Sequence, residues 1–220
     1  MGTLEVAPKR IARMDIVWFG RSCFRLQSSQ ANVLTDPFDP LPAPALAAIQ
    51  IVTVSNRALR DRVPAIEGAR VIEGPGEYEI KGVPVNGISV STSSGAAGNN
   101  ANKTIIYTIS LDGMTVCHLG RLAEPPAGQR IQEMGQPDVL LLPLGEPDGL
   151  AVPRAVQLAS QLEAKLLVPM TLGRDGAVLE AFCKELGADP SVRENRLNVS
   201  ASSLSAQTRV AILTPQGGAA

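Results

Sequence analysis

Short β-forming runs separated by turn residues recur along most of the chain, and this pattern constrains the fold more than any other feature. The clearest example is "KTIIYTISLDGMTVCHLG", in which two such runs flank the pair Asp112-Gly113. This pair favours a type I′ hairpin, because both central residues of that turn need a positive φ. Near the N-terminus, "MDIVWFG", "SCFRLQS" and "ANVLTDPF" predict three short strands in an antiparallel meander.

The next segments add turns and further strands. "DPFDPLPAPALAAIQ" is rich in proline and predicts a turn with at most one short helix. "IVTVS" follows as an unbroken apolar run, which predicts an interior strand. In "RVIEGPGEYEIKGVPVNGISVS" the Gly-Pro-Gly and Lys-Gly turns separate two or three more strands.

The second half changes to a βαβ rhythm. The apolar runs "PDVLLLPLG" and "AKLLVPM" flank a predicted helix. One face of this helix is apolar and carries Val152, Ala155, Val156, Ala159 and Leu162. A second helix is predicted from about Asp175, a suitable N-cap, to Gly187, a suitable stop, and "RLNVSAS" and "TRVAILTP" predict two closing strands.

These elements predict a single strand-rich α/β layered domain. We place this domain at residues 14–215, after a flexible N-terminal extension at 1–13 and before a flexible tail at 216–220. The length of 220 residues and the hydrophobic content of 45% suffice for one real core. The sequence does not decide whether Met1 or Met14 is the start.

Composition excludes several classes of function. The net charge of −1 provides no field that would recruit nucleic acid or an anionic membrane. No run reaches the roughly 18 apolar residues that a membrane span needs. Cys23, Cys117 and Cys183 are widely spaced and form no CxxC motif, so we expect free thiols in a reducing cytoplasm.

Several segments together resemble a known family. They are "VWFGRSCFRL", "VLTDPFDP", "VTVSNRALRD", "GPGEYEIKGVPVNGI", "TIIYTISLDGMTVCHLGRL", "DVLLLPLG" and "LLVPMTL". In this order and spacing they resemble the metallo-β-lactamase fold superfamily, specifically the small Zn-dependent hydrolase-like branch related to ascorbate-phosphate lactonases. The resemblance covers residues 14–215 and implies an αββα sandwich with the active site at the edge between the two sheets.

The same resemblance implies that the metal ligands of the family are replaced in this chain. In the family, a His-x-His-x-Asp-His loop, a later His, an Asp after Leu-Gly and a final His hold the metals. The matching positions here are Asn56, Ala58, Arg60, Asp61, Thr92, Arg121 and Thr171, and a family His in the first strand turn is matched by Arg21. The chain has one histidine, His118, so a site built from several histidines is impossible. We therefore expect no metal ion and no cofactor.

Two interpretations of the arginines remain open. In the structural one, Arg21, Arg60 and Arg121 replace the charge of the metals and pair with Asp36, Asp61 and Glu77. In the functional one, they form an anion or phosphate pocket together with Asn56, Thr92 and Thr171.

Two functions compete at this stage. The first is a non-catalytic pseudoenzyme, a binding or assembly subunit with a protein partner or a homo-oligomer and with a small anionic ligand as an option. The alternative is a hydrolase of a small ester, lactone or phosphoester with altered or single-metal chemistry. Its acid-base candidates are Asp36, Asp61 and His118, although strand alternation favours a structural role for His118.

Overall fold

The structure is a computed structural model that describes residues 12–91, 103–171 and 176–217. The strands are β1 (Met14–Gly20), β2 (Cys23–Gln27), β3 (Asn32–Thr35), β4 (Ile51–Thr53), β5 (Arg70–Ile72), β6 (Gly76–Ile80), β7 (Val83–Ser91), β8 (Lys103–Leu111), β9 (Met114–His118), β10 (Val139–Leu144), β11 (Leu166–Thr171), β12 (Arg193–Glu194), β13 (Leu197–Val199), β14 (Arg209–Val210) and β15 (Ile212–Leu213). The α-helices are α1 (Ala43–Leu46), α2 (Gly128–Met134), α3 (Val152–Leu162) and α4 (Gly176–Glu185), and 3₁₀ helices lie at Arg57–Arg62 and Ala201–Ser203.

Two mixed sheets form the body of the domain. One has the order β13-β1-β2-β3-β4-β5, and the other has the order β14-β11-β10-β9-β8-β7-β6. Strands β3, β4 and β5 are parallel, and so are β9, β10 and β11. The carboxyl ends of parallel strands lie at the same edge of a sheet, so the loops that follow them are brought together.

Apolar contacts arrange the chain in four layers. Residues such as Ile16, Phe24 and Val116 from both sheets form a core between the sheets. Helices α2, α3 and α4 pack on the outer face of the seven-stranded sheet, where Phe182 is fully buried. On the outer face of the six-stranded sheet, α1 and the first 3₁₀ helix cover a smaller cluster around Val52. The predicted αββα sandwich is therefore confirmed.

Most of the local predictions are confirmed. Asp112 and Gly113 have φ of +50° and +78° in the turn between β8 and β9, as a type I′ hairpin requires. Helix α3 lies where its apolar face predicts it, whereas the expected N-cap Asp175 lies outside the described residues. The strand predicted in "RLNVSAS" ends at Val199, because the Ser200 side chain caps a 3₁₀ turn instead.

Two further observations concern helices. The sequence pattern did not predict α2, which follows a Pro-Pro-Ala segment and has only seven residues. Among the described residues, no helix is long and apolar enough to span a membrane.

A buried tyrosine links the two sheets. The Tyr107 hydroxyl, on β8, lies 3.1 Å from the carbonyl oxygens of both Val54 and Ile72, at the ends of β4 and β5 in the other sheet. Burial is the main cause that raises the pKa of Tyr107, so the hydroxyl keeps its proton and donates it to this pair of carbonyls. A polar contact thus fixes the distance between sheets that are otherwise held by apolar packing.

We predict that Tyr107→Phe lowers the free energy of unfolding by about 1–3 kcal/mol, because it removes the hydroxyl that donates to the buried Val54 carbonyl, whereas the Ile72 carbonyl keeps a hydrogen bond from the Val54 backbone N–H at 2.8 Å. Tyr78→Phe is the matched control, since the Tyr78 hydroxyl bonds the Gly74 carbonyl in a part-buried position that water can reach. Urea denaturation measures both variants. Equal losses in the two would contradict the proposed link between the sheets.

Candidate functional site

A cavity of about 300 Å³ lies at the edge where the loops after the parallel strands meet. Its lining comes from the turn after β1, the loop after β3, the first 3₁₀ helix, the loop after β9 and the loop after β10. The lining residues are Arg21, Ser22, Asp36, Pro37, Phe38, Leu59, Arg62, Arg121 and Asp148. The position agrees with the sheet-edge site that the resemblance implies.

Asp36 forms the buried acidic floor of this cavity. It follows β3 with a φ of +39°, and only 3% of its surface is exposed. The Ser55 backbone N–H and the Ser55 hydroxyl each donate to one Asp36 carboxylate oxygen at 2.6 Å. A carboxylate offers about four lone-pair positions, so each oxygen retains acceptor capacity toward the cavity.

Ser55 also joins the two sheets below the cavity. Its carbonyl accepts a hydrogen bond from the Ile105 backbone N–H at 2.7 Å. Gly120 passes so close that a Cβ there would lie 2.5 Å from the Ser55 hydroxyl oxygen, and its φ is +58°. Only glycine fits this position without strain, and the close approach places Arg121 at the cavity.

Arg21 lies over an aromatic ring at the cavity wall. Its guanidinium carbon is 5.0 Å from the centroid of the Phe38 ring, a cation–π distance. The Arg21 residue has a φ of +49° in the turn between β1 and β2, and its carbonyl accepts a hydrogen bond from the Trp18 indole at 2.9 Å. These contacts hold the turn that presents the guanidinium.

The first 3₁₀ helix directs Arg62, and not Arg60, toward the cavity. A 3₁₀ helix has three residues per turn, so Leu59 and Arg62 lie on one side and both line the cavity. Arg60 lies on another side and forms an ion pair with Glu73 at 2.9 Å. The resemblance to the family motif indicates Arg60 as the residue at the site. The motif alone does not show which side of the helix each arginine occupies.

Arg121 is paired across the cavity mouth. Its guanidinium forms an ion pair with Asp148, which lies in the loop after β10. Among the described residues, the ion pairs of Arg60 and Arg121 therefore involve Glu73 and Asp148, which differ from the expected Asp36, Asp61 and Glu77.

His118 lies beneath the site and does not line the cavity. The residue is fully buried, and its ring meets Phe24 edge-on at 6.3 Å between centroids. Burial lowers the pKa of His118, whereas the negative charge of Asp36 and a hydrogen bond to the Ser22 backbone act in the opposite direction. A buried neutral imidazole is thus the form that the fold favours.

The structure brings together some of the sequence candidates and not others. Those at the cavity are Arg21, Asp36 and Arg121, whereas Asn56, Arg60, Asp61, His118 and Thr171 do not line it. The side chain of Ala58 and the whole of Thr92 lie outside what the structure describes. The functional roles of these candidates stay predictions. The cavity adds Arg62 and Asp148, which sequence reasoning missed.

The donors at this cavity do not fit the metal site of the resembling family. Zinc in hydrolases takes about three protein N, O or S donors. In the residues that the structure describes, no three His, Cys, Asp or Glu side chains come together so that they could hold a metal ion. The cavity is instead lined by three arginines, whose positive charge opposes the binding of a cation.

Comparisons with known proteins agree with this fold. The sequence profile of the family described as "Beta-lactamase superfamily domain" matches residues 15–171. The chain belongs to the metallo-β-lactamase superfamily. A solved structure from Thermotoga maritima, assigned as a Zn-dependent hydrolase of this superfamily, is similar with a TM-score of 0.71 and 27% identity, covering 91% of this chain and 98% of that one.

Two relatives of this superfamily member are named as hydrolases. A "UPF0173 metal-dependent hydrolase" of Methanoculleus marisnigri is 26% identical over 207 residues, which is 82% of this chain and 92% of the relative. A protein of Thermoplasma volcanium with the same description is 24% identical over 186 residues, which is 71% of this chain and 82% of the relative.

These comparisons correct our prediction of function. We expected a non-catalytic pseudoenzyme, and that prediction is wrong, because similar proteins along most of the chain are named as hydrolases. Our inference had equated the loss of the family's metal ligands with the loss of activity, which does not follow from the residues. The alternative, a hydrolase, agrees better with the comparisons. The protein partner, the homo-oligomer and the small anionic ligand stay predictions.

We predict that the stability of the protein falls as the pH drops below about 6.5, the pKa of an unperturbed histidine. Because burial lowers the pKa of His118 in the folded state, the unfolded chain binds more protons there, and up to about 1.4 kcal/mol is lost per pH unit. Urea denaturation at pH 7.5 and pH 5.5 tests this with His118→Leu as the comparison, since the chain has one histidine. The same pH dependence in both proteins would contradict it.

Proposed function

We propose that the chain is a hydrolase of a small ester, lactone or phosphoester, and that the cavity above Asp36 is its active site. One observation carries the proposal: a buried aspartate and three arginines line the same cavity. A general base next to groups that stabilise negative charge is the combination that hydrolysis requires. The similarity to relatives named as hydrolases supports the same class of reaction.

Asp36 is the proposed general base. Its two hydrogen bonds from Ser55 fix the plane of the carboxylate, so the remaining lone pairs have a defined direction. In the described part of the chain no arginine is ion-paired with it, whereas Asp148 is engaged with Arg121. Asp61 does not line the cavity and His118 is enclosed, so Asp36 is the best placed of the three acid-base candidates.

In the proposed reaction, a water molecule held by Asp36 attacks the acyl carbon or the phosphorus of the substrate. The carboxylate accepts a proton from the water as the new oxygen bond forms. The bond to the leaving oxygen then breaks, and the proton passes from Asp36 to that oxygen. The guanidinium groups of Arg62 and Arg121 stabilise the negative charge that develops on the attacked group.

We also propose that the protein works in the cytoplasm. Cys23, Cys117 and Cys183 are all buried free thiols. Burial is the leading cause that raises the pKa of each of these thiols, so they suit a reducing compartment in which no disulfide is needed.

We predict that Asp36→Asn lowers kcat by about 10²–10⁴-fold, the usual contribution of a general base. The asparagine carbonyl can still accept from the Ser55 N–H, so thermal unfolding should show a folded protein. Asp61→Asn is the matched control, because Asp61 lies on the exposed 3₁₀ helix outside the cavity.

The substrates for this test are para-nitrophenyl acetate, para-nitrophenyl phosphate and γ-butyrolactone, one for each proposed bond. The wild type should hydrolyse at least one of them, and Asp61→Asn should retain that activity. A wild type inactive on all three would contradict the proposed reaction. A loss of activity in Asp61→Asn with full activity in Asp36→Asn would contradict the assignment of the base.

A further inference from the structure

Three arginines from separate parts of the chain line the cavity. Arg21 comes from the turn after β1, Arg62 from the first 3₁₀ helix and Arg121 from the loop after β9. Like charges repel, so such a convergence costs free energy unless anions compensate it. A convergence of this kind therefore points to a negatively charged group between them.

The carboxylates of the cavity compensate only part of this charge. Asp148 forms an ion pair with Arg121. Asp36 is engaged with Ser55, and in the described residues no carboxylate forms an ion pair with Arg21 or Arg62. Three arginines and two aspartates line the cavity, which therefore carries a net positive charge. The uncompensated charge is that of Arg21 and Arg62.

The remaining wall of the cavity is apolar, so the ligand must also carry an apolar part. Phe38 lies beneath the Arg21 guanidinium and restricts its position, which lowers the cost of ordering it around an anion. Leu59 lies on the same side of the 3₁₀ helix as Arg62. The volume of about 300 Å³ is at the lower end of the range for small-molecule sites.

We propose that Arg21 and Arg62 bind an oxyanion group of the substrate, either a phosphate or a carboxylate, and that guanidinium groups here take the place that metal ions hold in the resembling family. The inference rests on the proposed hydrolase and deepens it by naming the substrate class. The ligand is a small molecule with an oxyanion and a short apolar skeleton against Phe38 and Leu59. Arginine suits both anions, because its planar fork can donate two parallel hydrogen bonds to oxygen.

The test measures binding apart from turnover. Inorganic phosphate and acetate are titrated separately into the full chain by isothermal titration calorimetry at low ionic strength. We expect at least one of them to bind, and we expect added salt to weaken that binding, because the arginines are exposed. Phosphate and acetate together distinguish the two kinds of oxyanion.

A matched pair of variants locates the site. Arg62→Gln should weaken anion binding about tenfold or more, because it removes a charged hydrogen-bond donor worth at least about that factor. Arg60→Gln removes the same charge two residues away on the same 3₁₀ helix, where the side chain is paired with Glu73, and should leave binding within about twofold. Both positions are exposed, so both variants should fold.

Each outcome bears on the proposal. Binding that is lost in Arg62→Gln and retained in Arg60→Gln supports it. No binding of either anion, or equal losses in the two variants, overturns it. Anion binding without hydrolysis of any panel substrate would leave this inference standing and contradict the proposed hydrolase. Hydrolysis of a panel substrate by a wild type that binds neither phosphate nor acetate would overturn this inference and leave the proposed hydrolase standing.

Discussion

The two hydrogen bonds between Ser55 and Asp36, each 2.6 Å long, are the interaction on which the site depends. Ser55 follows β4 and Asp36 follows β3, so these bonds join the ends of two parallel strands. The Ser55 carbonyl accepts from Ile105 in the other sheet, and Gly120 packs directly against the serine side chain. One buried serine therefore fixes the relative positions of β8 and of the segments that follow β3, β4 and β9, and these last three contribute residues to the cavity.

The chemistry of the cavity differs from that of the family whose fold the chain shares. The fold supplies a sheet edge at which loops converge, and the loops decide what lies there. In this chain they bring arginines and aspartates together, whereas the donors that zinc requires are not assembled among the described residues. Positive charge on guanidinium groups can stabilise a developing anion as a cation does, so a change of ligands is compatible with a retained class of reaction.

Much of the fold could be predicted from the sequence, because its signals are local. The Asp112-Gly113 turn and the apolar face of α3 depend on neighbouring residues alone. The residues of the site could not be predicted in the same way, because their positions depend on contacts between segments that are distant in the sequence. Arg62 was missed because the three-residue period of a 3₁₀ helix is not visible in the motif, and Asp148 was missed because its loop lies 27 residues beyond Arg121. The prediction of a pseudoenzyme failed because it treated a lost ligand set as a lost function.

The central claim is that this superfamily member hydrolyses its substrate with guanidinium groups in place of a dinuclear metal site. The most direct measurement is the metal content of protein purified without a metal-binding tag, taken together with its hydrolytic activity before and after EDTA. The account predicts far less than one zinc, manganese or iron ion per chain and activity that survives EDTA. Near-stoichiometric metal, with activity that is lost on chelation and restored by adding the metal back, would contradict it.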